Sequence, residues 1–181
     1  MKQPDDKDII ALCTISSTKD RGFAILVDKY KEQIYWHIRR MIVSHENSED
    51  VFQETMINVY KYLSKFRGDS SLYTWIYRIA TNECIKFLNR NKTFGPSDGV
   101  EMLENIAGSA HSYDENKLIE KFQQAILSLP VKQQLVFNLR YYDQASYAQI
   151  AEITGSSVES LKTNYHYAEK KIKDIMTNSD L

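Results

Sequence analysis

Between Phe23 and Met41 the apolar side chains Phe23, Leu26, Val27, Tyr30, Ile34, Ile38 and Met41 recur at three- and four-residue steps. That spacing gathers them along one face of an α-helix, and a strand, with its period of two, cannot use it. The pattern returns twice. A second helix is predicted over 48–64, with Val51, Phe52, Thr55, Val59, Tyr62 and Leu63 on its apolar side and Asp50, Gln53, Glu54 and Asn58 on its polar side. Ser48 suits its N-cap, and Glu49 and Asp50 suit the positive end of the helix dipole. A third helix is predicted over 73–89, carrying Trp75, Ile76, Ile79, Ala80, Ile85 and Leu88. Only 6 Gly and 3 Pro occur in 181 residues, too few turn-formers for the many short strands of a sandwich or barrel. With 43% of its residues hydrophobic, the chain has enough apolar surface to fold. The expected class is all-α.

Residues 93–115 interrupt this grammar with Gly95, Pro96, Gly99, Gly108, five acidic residues and no Lys or Arg. They read as a flexible acidic linker joining two small helical domains, 5–92 and 116–177. In the second domain Pro130 fits the first turn of a helix through Val136, Leu139 and Tyr142. Ser146 with Gln149 forms a capping-box pattern ahead of a short helix ending near Thr154. Gly155 follows as a turn residue, and Ser156 with Glu159 forms a second capping-box pattern. The last helix has an inward stripe of Val158, Leu161, Tyr165, Ala168, Ile172 and Ile175. A short helix, a tight turn and a longer helix make a helix-turn-helix. Outside the stripe stand Glu159, Ser160, Lys162, Thr163, Asn164, His166, Tyr167 and Lys170, residue types that read base edges or hold phosphates. The same face also suits a structural trihelical module whose polar side is merely solvated.

The net charge of -1 does not itself point to nucleic acid, but the charge is unevenly placed. Between residues 60 and 92, Lys61, Lys65, Arg67, Arg78, Lys86, Arg90 and Lys92 face only Asp69 and Glu83, a local excess that can hold a polyanion. Asp5, Asp6 and Asp8 stand where a signal peptide needs positive charge, and no apolar run approaches the roughly 18 to 20 residues of a membrane span. A cytoplasmic location without membrane insertion is expected. Cys13 and Cys84 lie far apart with no ligand spacing and read as buried thiols. His37, His45, His111 and His166 are scattered, and no catalytic arrangement, metal motif or cofactor loop is present in the sequence.

Two stretches resemble one family. Asp50-Val51-Phe52-Gln53-Glu54-Thr55 and the run from Phe66-Arg67-Gly68-Asp69-Ser70-Ser71 through Leu72-Tyr73-Thr74-Trp75-Ile76-Tyr77-Arg78-Ile79-Ala80-Thr81-Asn82 resemble region 2 of bacterial extracytoplasmic-function (ECF) RNA polymerase sigma factors of the sigma-70 type. Leu129-Pro130, Phe137-Asn138-Leu139-Arg140-Tyr141, Ser146-Tyr147-Ala148-Gln149-Ile150-Ala151 and Val158-Glu159-Ser160-Leu161-Lys162 resemble region 4. The resemblance implies a non-enzymatic initiation factor that binds core RNA polymerase and directs promoter recognition, DNA melting and initiation. Asp50, Gln53 and Glu54 then match the polymerase-docking helix. The segment around Phe66, Arg67, Ser70, Ser71, Tyr73 and Thr74 matches the loop that captures a base flipped from the melted -10 strand. Trp75, Arg78, Asn82 and Lys86 step along the next helix so that one face tracks that strand, although Trp75 also suits core packing. The -35 duplex is assigned to the helix from Ser157 to Lys170, with Lys162 as the strong contact and Lys170 and Lys171 as phosphate clamps. The resemblance further implies an anti-sigma partner and a linker that threads the polymerase.

One departure stands out. Asn164, Tyr167 and Glu169 occupy positions where the family commonly has Arg, which weakens phosphate attraction, so promoter sequence does not transfer from relatives. The competing reading is a stand-alone helix-turn-helix regulator of duplex DNA, which would not need the aromatic, basic loop beside the third helix.

Overall fold

A computed structural model describes residues 4–90 and 113–177. Among the described residues there are eight α-helices and no strand, in two compact units that part within 91–112. The expected linker lies outside the described residues as far as 112. Its last three positions belong to a helix beginning at Tyr113.

The first unit contains α1 (Asp6–Thr14), α2 (Lys19–Met41), α3 (His45–Tyr62), a 3-10 turn (Leu63–Lys65) and α4 (Leu72–Arg90). Leu26, Tyr30, Ile34 and Ile38 are the buried stripe of α2, as the four-residue spacing predicts. Val51, Thr55, Val59 and Leu63 serve for α3 and the turn, and Leu72, Ile76, Tyr77, Ala80 and Cys84 for α4. His37 is fully buried, with Nε2 2.9 Å from Thr81 Oγ1 and its ring 4.8 Å from that of Tyr77, and so ties α2 to α4. Both thiols are free and buried, and burial raises the pKa of each.

Two features differ from the sequence reading. The second helix starts at His45, so Ser48 is not its N-cap; it is buried inside the helix and donates its hydroxyl to Ile42 O at 2.6 Å. Helix α1 was not foreseen. It is capped by Asp5, whose carboxylate accepts the Asp6 N–H, and it packs on α2 through Ile9 and Cys13. Asp6 Oδ1 accepts from both Lys29 Nζ and Tyr30 OH at 2.7 Å, anchoring the start of α1 to the middle of α2. Gly22 makes the close approach possible, since a Cβ there would lie 2.6 Å from Cys13 Sγ.

The second unit contains α5 (Tyr113–Leu127), α6 (Val131–Tyr141), α7 (Tyr147–Thr154) and α8 (Val158–Thr177). Ala125, Ile126, Leu129, Phe137, Ala168 and Ile172 form its core, and α8 packs on the other three helices. The Phe137 ring lies between Tyr141 at 5.3 Å and Tyr165 at 5.9 Å, both nearly parallel to it. Pro130 takes the N-cap position of α6 rather than its first turn. The capping box at Ser146 and Gln149 forms, and Gly155 adopts the left-handed conformation (φ 70°) that turns α7 into α8. The second box does not: α8 begins at Val158, and Ser157 Oγ, not Ser156, accepts the Ser160 N–H at 3.3 Å.

Candidate functional site

On α3 the buried positions Val51, Thr55 and Val59 force Asp50, Gln53 and Glu54 onto the opposite face, where all three are exposed. Among the described residues no Lys or Arg closes on Asp50 or Glu54; the only polar neighbour at Glu54 is Asn58 Nδ2, at 3.5 Å. Two uncompensated carboxylates flanking an amide suit the cations of a partner.

The loop 66–71 turns at Gly68, which has φ 79°. Phe66 and Trp75 are half-buried and their rings meet at 5.3 Å, so Trp75 packs on the loop while keeping part of its edge in solvent. Tyr73 is also half-buried, with its ring 4.1 Å from that of Tyr77. Arg67 and Ser71 are exposed and Ser70 is partly so. The Ser71 hydroxyl is engaged locally: it accepts the Thr74 N–H at 3.1 Å and donates to Thr74 Oγ1 at 2.9 Å, capping α4. Thr74, expected on the DNA side, is only 1% exposed, because it completes this cap from inside the first turn. Beyond it Arg78, Asn82 and Lys86 are exposed at four-residue steps on one face. Lys86 Nζ lies 2.7 Å from Glu83 Oε1, an oxygen that also accepts from Asn58 Nδ2 of α3 at 3.2 Å. In the sequence Glu83 counts only as an opposing charge; its three-residue spacing from Lys86 is the signal for this pair.

Ser157, just before α8, and Glu159, Ser160, Lys162, Thr163, His166, Tyr167 and Lys170 on it are exposed, and Tyr167 stands out at 55%. Asn164 is half-buried and turns its amide back to Ser160 O at 2.8 Å. Thr163 likewise donates to Glu159 O at 2.9 Å. Lys171 differs from expectation: its ammonium donates to Ser128 O at 2.6 Å, just past the C-terminus of α5, where cations are favoured. Arg140 holds the helix-turn-helix together by donating to Ala145 O at 2.6 Å, with its guanidinium 4.7 Å from the Tyr147 ring. Burial, with Glu169 second, raises the pKa of Tyr165 beside it.

Among the described residues no cluster of His, Cys, Asp and Glu could hold a metal, and no helix is long and apolar enough to cross a membrane. The chain matches the family model Sigma-70 region 2 over residues 26–94 and Sigma-70, region 4 over residues 119–172. It is 31% identical over 163 residues to the ECF RNA polymerase sigma factor SigW of Bacillus subtilis (strain 168), covering 84% of this chain and 87% of that one. Identity to the ECF RNA polymerase sigma-E factor of Escherichia coli (strain K12) is also 31% over 163 residues, covering 84% and 85%. In fold it is similar to CnrH solved in complex with the cytosolic domain of CnrY, with TM-score 0.72 and 18% identity over 97% of this chain and 99% of that one. It is also similar to the sigma factor RpoE of Bartonella quintana in complex with the anti-sigma factor NepR, with TM-score 0.67 and 17% identity over 87% and 98%. The two region models in order on one chain, and near-full-length relatives at this identity, place the protein in the family of extracytoplasmic-function RNA polymerase sigma factors.

Proposed function

We propose that this sigma factor binds core RNA polymerase through the exposed Asp50, Gln53 and Glu54 of α3 and directs it to promoters, where it aids melting and initiation. The observation that carries this reading is the order of the two matched regions on one chain, 26–94 and then 119–172. In this assignment 5–92 docks the polymerase and reads the -10 element, 93–115 is the tether, and 116–177 reads the -35 duplex.

At -10, Phe66, Tyr73 and Trp75 supply the aromatic surface a flipped base needs, with Arg67, Ser70 and Ser71 at its edge and Arg78, Asn82 and Lys86 along the strand. Unstacking a base costs a few kcal/mol, and stacking with hydrogen bonds offsets it. Thr74 is left out of this set because it is buried. At -35, Lys162 is the leading contact, with Ser157, Glu159, Ser160, Thr163, Asn164, His166 and Tyr167 presenting the groove-facing side and Lys170 a phosphate contact. Lys171 is left out because it holds the end of α5. The factor does no chemistry itself; RNA synthesis belongs to the polymerase. Its place of action is the cytoplasm. CnrH and RpoE were solved bound to CnrY and NepR, and an anti-sigma partner is proposed for this chain as well.

The test is co-elution with bacterial core polymerase on a sizing column, beside the Glu54→Lys variant. Stoichiometric binding by the wild type and its loss in the variant is the expected result. Undiminished co-elution of Glu54→Lys would refute the docking face, and no binding by the folded wild type would refute the function.

A further inference from the structure

Tyr62 is the last residue of α3 and is 40% exposed. Lys61 Nζ and Lys65 Nζ lie 5.5 and 5.6 Å from its ring centroid. Among the described residues neither ammonium has a carboxylate within ion-pair reach, and the Tyr62 hydroxyl has no hydrogen-bond partner. Two like charges at one ring without an anion form an incomplete arrangement that a phosphate completes.

Tyr60, of similar exposure, shows what a structural tyrosine looks like here. Its hydroxyl donates to Asp20 at 2.8 Å, its ring meets Phe23 edge-on at 5.0 Å, and Lys19 sits 3.9 Å over it. Among the described residues Tyr62 has no such carboxylate or aromatic tie, it is 40% exposed, and its two cations stand farther off, at 5.5 and 5.6 Å. Its position is nevertheless fixed. The next residue, Leu63, is buried, and Leu63 O accepts the Phe66 N–H at 3.1 Å, so the 3-10 turn sets Tyr62 directly before the loop at Phe66.

We propose that Tyr62, with Lys61 and Lys65, is a second nucleobase platform that stacks one base of the single-stranded -10 region and holds its phosphate. The proposal rests on the sigma-factor reading and extends the site assigned to the 66–71 loop. An aromatic ring ringed by cations is the sequence-tolerant recogniser of single strands, because every base has a π-face and every nucleotide a phosphate.

The test uses holoenzyme assembled from the full chain and core polymerase, with a fluorescein-labelled mixed-sequence single-stranded 20-mer and the same DNA as duplex. Binding is read by anisotropy over that of core polymerase alone. Tyr62→Ala is expected to weaken single-strand binding roughly tenfold, and Tyr62→Phe to keep it, because the ring does the stacking. The Lys61→Ala, Lys65→Ala double variant should flatten the salt dependence by about 0.7 in log K against log salt, the value for one phosphate on a single strand. Tyr62→Ala binding like wild type, or Tyr62→Phe failing like Tyr62→Ala, overturns the platform. Equal losses on duplex and single strand would make it a backbone patch and also overturn it. Failure of the holoenzyme to form would instead count against the sigma-factor reading, so the two failures are distinguishable.

Discussion

Gly22 is where the packing of α1 on α2 can be measured. Replacing a helix-interior Gly by Ala normally stabilises by about 1 kcal/mol. At this position the new Cβ would lie 2.6 Å from Cys13 Sγ, 2.9 Å from Leu12 Cβ and 3.0 Å from Cys13 N. Carbon and sulfur need roughly 3.5 to 4 Å, so α1 must move away by about 1 Å. The thiol has nowhere to swing because Cys13 is buried, and the third contact is backbone. Overpacking of this kind costs about 1 to 3 kcal/mol. Because moving α1 also loosens the fully buried Ile9, the upper half of that range applies, and the net effect of Gly22→Ala is a loss of about 1 to 2 kcal/mol. Both tryptophans of the chain, Trp36 and Trp75, belong to the first unit, so urea unfolding followed by tryptophan fluorescence reports on that unit. Adding Cys13→Ala removes only the 2.6 Å contact, and the double variant should regain about 0.5 to 1 kcal/mol relative to additivity. A higher urea midpoint for Gly22→Ala would mean that helix propensity wins and that α1 does not press on α2 at this point.

Three further outcomes are expected. Ser146→Ala removes the hydroxyl that accepts the Gln149 N–H at 3.2 Å and should cost about 1 kcal/mol locally, seen as several-fold faster hydrogen exchange of the Gln149 amide; unchanged exchange would deny the cap. In the first unit, Tyr30 is held protonated above its usual 10.0 by burial and then by its bond to Asp6, and Cys13 and Cys84 are held above 9.0 chiefly by burial. Raised pKa values in the folded state mean that stability is complete below about pH 9 and falls as pH climbs past 9 and 10, where only the unfolded chain has lost these protons. The urea midpoint should therefore be lower at pH 10.5 than at pH 7.5, with a smaller drop in Tyr30→Phe. Glu83→Gln should leave the fold nearly unchanged, since Gln keeps an oxygen for Asn58 in this buried position and the Lys86 left behind is 56% exposed and stays solvated. It should free a cation, steepening the salt dependence of single-strand binding by about 0.7, and an unaltered slope would show that Lys86 does not reach the strand.

The sequence discloses elements whose reasons are local. The stripe from Leu26 to Ile38, the Ser146 and Gln149 box and the left-handed Gly155 each depend on residues within a few positions, and each appears where local rules put it. Helix α1 has only nine residues and two buried side chains, too short for a period to show. What holds it is distant in sequence: the Asp6 bonds to Lys29 and Tyr30, and the missing side chain at Gly22. Ser48 fails for the same reason. As a residue type it is a good N-cap, but the Ile42 carbonyl, six residues earlier, claims its hydroxyl. In the site, exposure of Asp50, Gln53 and Glu54 followed from the buried positions beside them. Burial of Thr74 did not, because it requires knowing that Ser71 starts α4.

Charge shows the same division, with consequences for how the factor holds DNA. A count along the sequence treats every cation as available, whereas the fold uses several internally. Lys86 is shared with Glu83, Lys171 is placed on the Ser128 carbonyl, and Arg140 is bound to Ala145 O against Tyr147. Lys61, Lys65 and Arg67 remain clustered at the corner before α4, and Lys162 and Lys170 on the outer side of α8. Each phosphate neutralised contributes to affinity by releasing counterions, so every cation held internally lowers the sequence-independent pull on duplex DNA. In the proposed assignment, stacking on Phe66, Trp75 and Tyr62 is insensitive to that loss, and docking through the exposed carboxylates of α3 would add the polymerase's own hold on the template. On that assignment the factor is expected to bind duplex DNA weakly by itself and to gain its grip from exposed bases and from the polymerase, so wild-type affinity for duplex measured without core polymerase should fall well below that of the holoenzyme.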